Sequence, residues 1–511
     1  MLPSFKTLRI LLLISFFGTL ASAQAVQKKT GESDSPTRFT VVAYNVENLF
    51  DIDGVAAFDD YQQVSPPNSN RPVYTPEMLL KKVQGHVQVL KQIGNGTGPE
   101  IILFQEFERD RTPESTIKSP EDFLRTFRNV TLEDMIKQAD DPAIKGLPSY
   151  AFMLKGMEEA GMGPYQIAVP DTKEESAHIN VTFSKFPIRR VIAHPLVQAR
   201  EILEVHIEID GHLLLTFNNH WKAGASNPQM ETIRVGNARV LRRRIDHILR
   251  NAPTADIIIG GDLNSYHNQS AIFDSIKASG INDVLRSQGN ESLMYRTESG
   301  ALYNLWYELP RKQRYSEVWR GMYGTLMHLI VTPGLYDGIG VRYVDNSFRN
   351  VILPGLNVDV WGRPLSWRFD HGGHGLTDHL PVAAEFEVVR PGMEDREDTS
   401  IRMVDYSLSN LAPDYEFLEL TPSLILDILP RVWEQRGEIY RFDGKIFHGE
   451  FPVVQIGNSR TRIWAPDEAL FKKIQALKAG TRFAGFAEFV LYQGRPEIVI
   501  QDASWITSEL N

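Results

Sequence analysis

The stretch 257–265, which reads IIIGGDLNS, constrains the fold more than any other part of the chain. Three consecutive Ile residues predict a short strand that is buried on both faces, as in a sheet covered by helices. Two glycines allow a sharp turn where the strand ends, and the turn presents Asp262 beside Asn264. In α/β proteins, ligand sites gather at such strand ends. The pair suits chemistry on a phosphate or a metal-bound water, although Asp-x-Asn is also an ordinary loop pattern.

The length and composition indicate a globular protein of two domains. A chain of 511 residues exceeds one typical core, and 42% hydrophobic and 23% charged residues are ordinary globular values. The net charge of -10 argues against a broadly basic nucleic-acid binder. It does not exclude a nuclease, because metal ions can neutralise phosphate locally.

The N-terminus has the pattern of a targeting segment. Lys6 and Arg9 precede an apolar run over 10–20, and ASA at 21–23 fits the small-residue rule for cleavage. We expect a signal peptide over 1–23, cut after Ala23, and a periplasmic or extracellular protein without a stable membrane span. A short uncleaved anchor is the alternative. The sequence has no cysteine, so stability has to come from the core and any bound metal.

Beyond a flexible leader at 24–38, predicted strands and helices alternate, and several strands end on polar residues. Strands are expected at 39–46, 100–104, 181–187, 202–209, 212–217, 326–331 and 382–389, and helices at 76–93, 229–250 and 270–279. This alternation predicts a layered α/β domain over 39–390. A charged stretch with Pro and Gly follows, and we place a linker at 391–404.

The C-terminal region, 405–511, is predicted to form a small β-barrel. Strands at 437–448 and 451–456, a helix at 466–478 and a hairpin over 482–501 follow the order of an oligonucleotide/oligosaccharide-binding (OB) barrel. Such barrels often hold single-stranded nucleic acid. However, the sequence shows no clear basic and aromatic stripe here. We expect the aromatic residues of this region in the core rather than on a base-stacking surface: Phe483, Phe486, Phe489, Tyr492 and Trp505.

The strand ends of the first domain supply a set of polar side chains that lacks sulfur and is rich in oxygen donors. Such a set selects Mg²⁺, or Mn²⁺ or Ca²⁺, over a zinc–thiolate site. Its histidines can act as acids, bases or phosphate ligands. Hydrolysis of a phosphate ester needs a metal, a group that activates water, and donors around the non-bridging oxygens. The set comprises Asn45, Glu106, His220, Asp262, Asn264, Asp378 and His379.

Five motifs, in this order, resemble the signatures of the endonuclease/exonuclease/phosphatase superfamily: FTVVAYNVENLFD, ILFQEFE, FNNHWKAG, IIIGGDLNS and LTDHLPV. The resemblance covers 39–389, and NVENLFD and NHWKAG are most similar to bacterial extracellular nuclease-like members. It implies a four-layered α/β sandwich of the deoxyribonuclease I type. It also implies a metal-dependent phosphoric ester hydrolase, with endonuclease activity as the leading expectation.

The resemblance further implies a metal site. Glu106 would ligate the divalent ion, Mg²⁺ or else Mn²⁺ or Ca²⁺. Asn45 would support the same site, and Asp378 would assist it.

The same resemblance implies the catalytic roles. Asp262 would orient or deprotonate the attacking water, and Asn264 would hold the phosphate and the transition state. His379 would contact the scissile phosphate or transfer a proton. His220 matches the second histidine of the deoxyribonuclease-like branch and could protonate the leaving oxygen.

One position departs from the family pattern. The family usually has an Asp in a strand like LDxILVS, where it orients the final catalytic histidine. The stretch 326–332 reads LMHLIVT, so Met327 stands at that place. An imidazole without a carboxylate partner loses control of its tautomer and stabilisation of its cation. Either another acid substitutes, with Asp370 nearest in sequence, or activity is reduced. We expect Met327→Asp to keep or raise kcat.

The sequence leaves three functions open. The leading one is an exported nuclease that acts on DNA or RNA. The second is a phosphoesterase acting on phospholipid head groups or small phosphorylated metabolites, which exposed apolar loops would favour. The third is a binding protein of the same fold with a weakened site. Met327 favours the third, whereas the retained site residues oppose it. The sequence does not indicate the oligomeric state.

Overall fold

The computed structural model describes residues 37–58, 61, 73–94, 96–112, 117, 119–171, 176–295, 300–353, 356–359, 362–389, 417–428, 439–465, 467–492, 495–500 and 502–508. The predicted signal peptide and linker, and nearly all of the predicted leader, lie outside these residues. The proposed domain boundaries at 390 and 405 therefore stay predictions.

Two β-sheets form the centre of the region before residue 390. The first has the order β14-β16-β1-β2-β4-β3, with β15 also paired to β16, and the second has the order β5-β6-β7-β8-β13-β10-β9. A hairpin of β11 and β12 stands apart from both. The strands are β1 (Arg38–Leu49), β2 (Ile101–Glu108), β3 (Gln166–Ala168), β4 (His178–Ser184), β5 (Ile188–His194), β6 (Ile202–Ile209), β7 (His212–His220), β8 (Asp256–Asp262), β9 (Ser287–Gln288), β10 (Leu302–Asn304), β11 (Glu317–Trp319), β12 (Met322–Gly324), β13 (Met327–Val331), β14 (Val341–Tyr343), β15 (Arg349–Asn350) and β16 (Val382–Val388).

Helices cover the outer face of each sheet. Along β1, Val41 and Ala43 face the core between the sheets, whereas Val42 and Tyr44 face the opposite side and the helices there. Helices α1 and α5 cover the first sheet and α6 covers the second. The four-layered α/β sandwich is thereby confirmed. The helices are α1 (Pro76–Lys91), α2 (Pro120–Thr126), α3 (Leu132–Lys137), α4 (Pro142–Lys145), α5 (Ser149–Glu159), α6 (Pro228–Asn251), α7 (Gln269–Ile272), α8 (Pro422–Ile428) and α9 (Glu468–Ala476).

The two glycines of β8 do not form the turn that the sequence suggested. Strand β8 continues through both of them to Asp262. A Cβ at Gly260 would lie 2.6 Å from Leu103 of the facing sheet, so the glycine lets the sheets approach each other. Gly261 has φ +113, and a Cβ there would lie 2.1 Å from the carbonyl oxygen of Asn219. The turn comes later, at Asn264, which has φ 48.

A buried polar network joins the two sheets. Asn218 of β7 donates from Nδ2 to the carbonyl oxygens of Phe104 (3.0 Å) and Val181 (3.1 Å) in the first sheet. Its Oδ1 accepts from Gln105 Nε2 at 2.6 Å. Gln105 precedes Glu106, and Asn218 lies two residues before His220. The network therefore fixes two site-bearing strand ends relative to each other.

We expect Asn218→Leu to lower the free energy of unfolding by about 1–3 kcal/mol, because it removes the partners of buried polar groups. Urea unfolding followed by tryptophan fluorescence measures the change. Asn251→Leu is the matched control, since Asn251 is exposed at the end of α6. Equal midpoints for the two variants would show that the network contributes nothing to stability.

The C-terminal strands close into a five-stranded barrel in the order β17-β18-β19-β21-β20. In this barrel β19 and β21 pair in parallel, and α9 lies between β19 and β20 in the sequence, so the OB-like prediction is confirmed. Phe483, Phe489 and Trp505 are buried and Phe486 is partly buried, whereas the side chain of Tyr492 is outside the described residues. The strands are β17 (Ile439–His448), β18 (Pro452–Ile456), β19 (Ser459–Trp464), β20 (Arg482–Tyr492) and β21 (Arg495–Val499).

No helix within the described ranges is both long and apolar enough to span a membrane.

Candidate active site

Two parallel strand pairs, one in each sheet, end at the same place. In the first sheet β1 and β2 run parallel, with Asn45 opposite Gln105. In the second, β7 and β8 run parallel and end with His220 opposite Asp262. The carboxyl ends of these strands thus bring together residues far apart in the sequence. His379 joins them from the segment that leads into β16.

Irregular backbone points Glu106 into this space. Glu106 has φ 66, and the pairing of β2 with both of its neighbours shifts register around it. The backbone N–H of Asn48, which has φ 58, donates to Glu106 Oε2 at 3.0 Å. A bulge of this kind re-aims a side chain next to a functional site. Hydrophobic periodicity gives no sign of it.

The central group, which we call the carboxylate–histidine cluster, consists of Glu106, His220, Asp262 and His379. Nε2 of His220 lies 3.6 Å from Glu106 Oε1 and 3.7 Å from Asp262 Oδ2. Nε2 of His379 lies 3.6 Å from the same Asp262 oxygen. Among the described residues, neither histidine has a hydrogen-bond partner for its buried Nδ1. Asp262 is therefore the centre of the cluster.

Asn45 holds the two carboxylates in place. Its Nδ2 donates to Glu106 Oε1 at 3.0 Å and to Asp262 Oδ2 at 3.2 Å. Its Oδ1 accepts from the backbone N–H of Glu47 at 2.9 Å, which fixes the orientation of the amide. In this arrangement Asn45 supports the site through hydrogen bonds to the carboxylates.

Asn264 lies at the turn after Asp262. Its backbone N–H donates to Asp262 Oδ1 at 2.8 Å, and its Nδ2 donates to the carbonyl oxygen of Trp221 at 3.1 Å. The amide is thus anchored beside the cluster, as the predicted phosphate-holding role requires.

The carboxyl groups of the cluster differ in proton affinity. Burial raises the pKa of Glu106, but His178, His220 and the hydrogen bond from Asn45 outweigh this effect and lower the pKa to about 2. For Asp262 burial prevails and raises the pKa to about 6, against the attraction of His379. Glu106 is therefore anionic, whereas Asp262 is suited to take up a proton near neutral pH.

The two histidines carry different charges. Burial, followed by the charge of Arg200, holds the pKa of His220 well below its ordinary value, so the imidazole is neutral. Burial also lowers the pKa of His379, but the surrounding carboxyl groups, with Asp378 and Asp262 foremost, raise it to about 9. His379 is accordingly a cation at neutral pH, which suits contact with a phosphate oxygen. A neutral His220 suits metal ligation better than proton donation.

The donor set fits a divalent metal. Glu106, His220 and Asp262 each offer one possible ligand atom, a carboxylate oxygen or an imidazole nitrogen, and these three atoms lie within 4.8 Å of one another. Carboxylate oxygens with one imidazole suit Mg²⁺ or Mn²⁺. Asp378 is half-exposed and lies beside His379, with Oδ1 3.6 Å from Nε2, rather than in this group. The described residues include a second group that could hold a metal ion, and it consists of three carboxylates: Glu291, Glu308 and Asp345.

Met327 is fully buried opposite Asp262 in the strand pairing, within the core between the sheets. Asp370 does not act as the substitute acid, since it is exposed and lies beside His371 and His374, at 3.6 Å and 3.7 Å. Glu317, which sequence reasoning missed, is one of the carboxyl groups whose charge raises the pKa of His379, after Asp378 and Asp262.

The segment that carries Glu317 lies between Met327 and His379. Ser316 Oγ accepts the backbone N–H of Met327 at 3.0 Å, and Ser316 O accepts that of Leu380 at 2.6 Å. Burial raises the pKa of Glu317 to about 8, and His379 is the strongest charge opposing this rise. The only signal in the sequence is an acidic residue in a short strand before β13.

Residues 174–387 match the model of the Endonuclease/Exonuclease/phosphatase family. No curated protein sequence matches the chain. Among solved structures, it is similar to truncated TDP2 from Caenorhabditis elegans, with 12% identity, 68% of this chain and 98% of that chain covered, and a TM-score of 0.36. It is also similar to an endonuclease/exonuclease/phosphatase family protein from Bacteroides thetaiotaomicron, with 14% identity, 69% of this chain and 96% of that chain covered, and a TM-score of 0.36. For sphingomyelinase C from Streptomyces griseocarneus the identity is 12%, the alignment covers 68% of this chain and 99% of that chain, and the TM-score is 0.36.

The matched residues include His220, Asp262, Asn264 and His379, and the matched region contributes most of the second sheet. Residues 174–387 are therefore similar to the Endonuclease/Exonuclease/phosphatase family.

Proposed function

We propose that this protein is an exported, divalent-metal-dependent phosphodiesterase that hydrolyses DNA or RNA. The observation that carries the proposal is the placement of Asp262. Its Oδ2 lies 3.6 Å from the cationic His379 and 3.7 Å from the neutral His220, within a carboxylate set that fits a metal. The proposal of export rests on the sequence of 1–23 alone.

The residues of the cluster divide the work of hydrolysis. Asp262 orients the attacking water and takes its proton, which the raised pKa of about 6 allows. His379 offers a positive charge to a non-bridging phosphate oxygen, and Asn264 holds the phosphate from the adjoining turn. Both catalytic side chains are nearly inaccessible to solvent, at 1% for Asp262 and 6% for His379, which strengthens their electrostatic interactions with substrate.

The metal would be held by Glu106, together with the neighbouring His220 and Asp262. When bound, it supplies charge neutralisation at the phosphate and lowers the pKa of a water molecule. Glu106 is suited to metal binding because its lowered pKa keeps it anionic and because hydrogen bonds from Asn45 and Asn48 fix its carboxylate.

Hydrolysis of bis-p-nitrophenyl phosphate tests the reaction class. We expect turnover with Mg²⁺ or Mn²⁺ that a chelator removes and added metal restores. Glu106→Gln should lose this turnover. Glu291→Gln, which removes an acid from the other carboxylate cluster, should keep it. If no metal-dependent turnover is found on this substrate, DNA or RNA, the protein is a binding protein of the same fold.

A parallel assay on plasmid DNA, RNA, sphingomyelin and inositol phosphates tests the substrate class. We expect cleavage of one or both nucleic acids. Cleavage of sphingomyelin or inositol phosphates alone would contradict the nuclease assignment and leave the phosphodiesterase chemistry standing.

A further inference from the structure

The outer surface of the barrel carries a row of cationic and aromatic side chains that the sequence did not reveal. In β19, Thr461 and Ile463 are buried, whereas Arg460, Arg462 and Trp464 alternate with them and lie on the outer face. Trp464 is 40% exposed. Residues two apart on a strand point to the same face, so these three side chains form one line.

Residues from neighbouring strands extend this line sideways. Arg462 lies opposite Val453 in β18, and Val453 lies opposite Phe447 in β17. Likewise, Arg460 pairs with Gln455, which pairs with Lys445. The surface therefore contains residues from β17, β19 and the loop after β17 that are up to 19 positions apart in sequence. We call it the basic–aromatic face, and it consists of Lys445, Phe447, Phe451, Arg460, Arg462 and Trp464.

Aromatic rings hold the two arginines in defined positions. The Arg462 guanidinium carbon lies 3.8 Å from the centre of the Phe451 ring, and that of Arg460 lies 5.5 Å from the centre of the Phe447 ring. A guanidinium placed over a ring is ordered and still has N–H groups free to donate. The face thus offers fixed donors that suit phosphate oxygens.

Two of the three cations of the face, Lys445 and Arg460, have no ion pair among the described residues, whereas Arg462 is paired with Glu497. The nearest carboxylate oxygen of Glu497 is 3.9 Å from Arg462. By contrast, the exposed Arg482 of the barrel is paired with Asp443 at 2.6 Å. An anion would therefore find free positive charge at this face.

Trp464 adds a stacking surface to these cations. Its ring packs against Phe471 of α9, with ring centres 4.8 Å apart, which supports the indole while part of it stays exposed. An exposed tryptophan beside phosphate donors suits a polymer that carries both flat apolar rings and negative charges. Stacking on aromatic side chains and backbone contacts by cations are the means by which barrels of this fold hold single strands.

We propose that the basic–aromatic face binds single-stranded nucleic acid, with Arg460 and Lys445 contacting phosphates and Trp464 stacking on a base. A duplex cannot offer an unpaired base face to Trp464, which selects single strands. The proposal concerns binding alone and holds whether or not the α/β site cleaves nucleic acid.

Fluorescence anisotropy of a labelled 20-nucleotide oligothymidylate, titrated with the full chain in chelator, tests the proposal. We expect Trp464→Ala to weaken binding about tenfold or more, and Trp464→Phe to retain most of it. Arg460→Ala should reduce the slope of log Kobs against log salt by about 0.7, as loss of one phosphate contact predicts.

Arg189→Ala is the matched control, because it removes an exposed arginine of the α/β part that is already paired with Glu208. It should bind like the wild type. Equal affinities for Arg460→Ala, Trp464→Ala and the control would overturn the proposal, as would duplex binding as tight as single-strand binding. Hydrolysis of bis-p-nitrophenyl phosphate by the same variants, assayed with Mg²⁺ or Mn²⁺ and without chelator, should be unchanged, which separates failure of this face from failure of the catalytic site.

Discussion

We expect Asp262→Asn to lower kcat/KM on bis-p-nitrophenyl phosphate by about a thousandfold, within the range typical of general-base catalysis. Asn cannot accept the proton of the attacking water. It also loses the negative charge that faces His379 Nε2 at 3.6 Å. The two oxygens of Asp262 accept from Asn264 and Asn45, and the Asn side chain keeps only one such acceptor. Steady-state kinetics at saturating metal measure the loss.

Asp256→Asn is the matched control for this variant. Asp256 begins the same strand, β8, and its Oδ2 accepts from the backbone N–H of Val341 at 2.8 Å. Burial raises the pKa of Asp256 to about 8, so at neutral pH the carboxyl is mostly protonated and Asn replaces a neutral group. Wild-type turnover is expected. If Asp262→Asn kept more than about a tenth of the activity with an unchanged melting temperature, Asp262 would not be the general base.

The strand ends could be read from the sequence because their chemistry is local. Asn45, His220 and Asp262 each follow an apolar run, and the carboxyl ends of parallel neighbours meet at one edge of a sheet. The sequence could not predict that the ends of β1 and β2 in one sheet meet the ends of β7 and β8 in the other. This meeting depends on the packing of the sheets, which Gly260 permits by leaving room for Leu103.

Other features were missed because they depend on tertiary contacts. The helix expected at 270–279 is the single turn α7, since Ser279 instead caps the next turn by accepting from Asn282. Helix α5 was not predicted because it is buried along most of its length and shows no polar face. The basic–aromatic face was missed because its members come from two strands of the barrel and the loop between β17 and β18.

Glu317 is the clearest example of a site residue that only the fold reveals. The family pattern places an acid at 327, yet this chain has Met there, packed between the sheets. Glu317 follows Ser316, which contacts the backbone of both Met327 and Leu380, and its charge contributes to the raised pKa of His379. A carboxyl group from another strand can stabilise the same imidazolium once it is ionised, which for Glu317 means above about pH 8. We therefore expect Glu317 to act as a positioning residue for His379.

If so, Glu317→Gln lowers kcat about 10- to 100-fold above about pH 8, where the Glu317 carboxyl is ionised, as loss of a supporting carboxylate does in comparable sites, with little change in KM. The same change should lower the pKa of His379, which carboxyl groups including Glu317 raise to about 9, and NMR titration of the metal-free protein measures this. Glu385→Gln, on β16 and in contact with Arg38 and Arg349, is the control and should alter neither quantity.

A double variant that removes the carboxyl group at 317 and places one at 327, the family position, tests most directly whether Glu317 supports His379. Met327→Asp in the Glu317→Gln background should recover part of the lost kcat, because it returns a carboxyl group to the vicinity of His379. Burial of an Asp in the core costs stability, so the melting temperature is measured beside the rate. An unchanged kcat and an unchanged His379 pKa in Glu317→Gln would exclude the role. Loss of kcat without recovery in a folded double variant would show that Glu317 acts on the substrate rather than on His379.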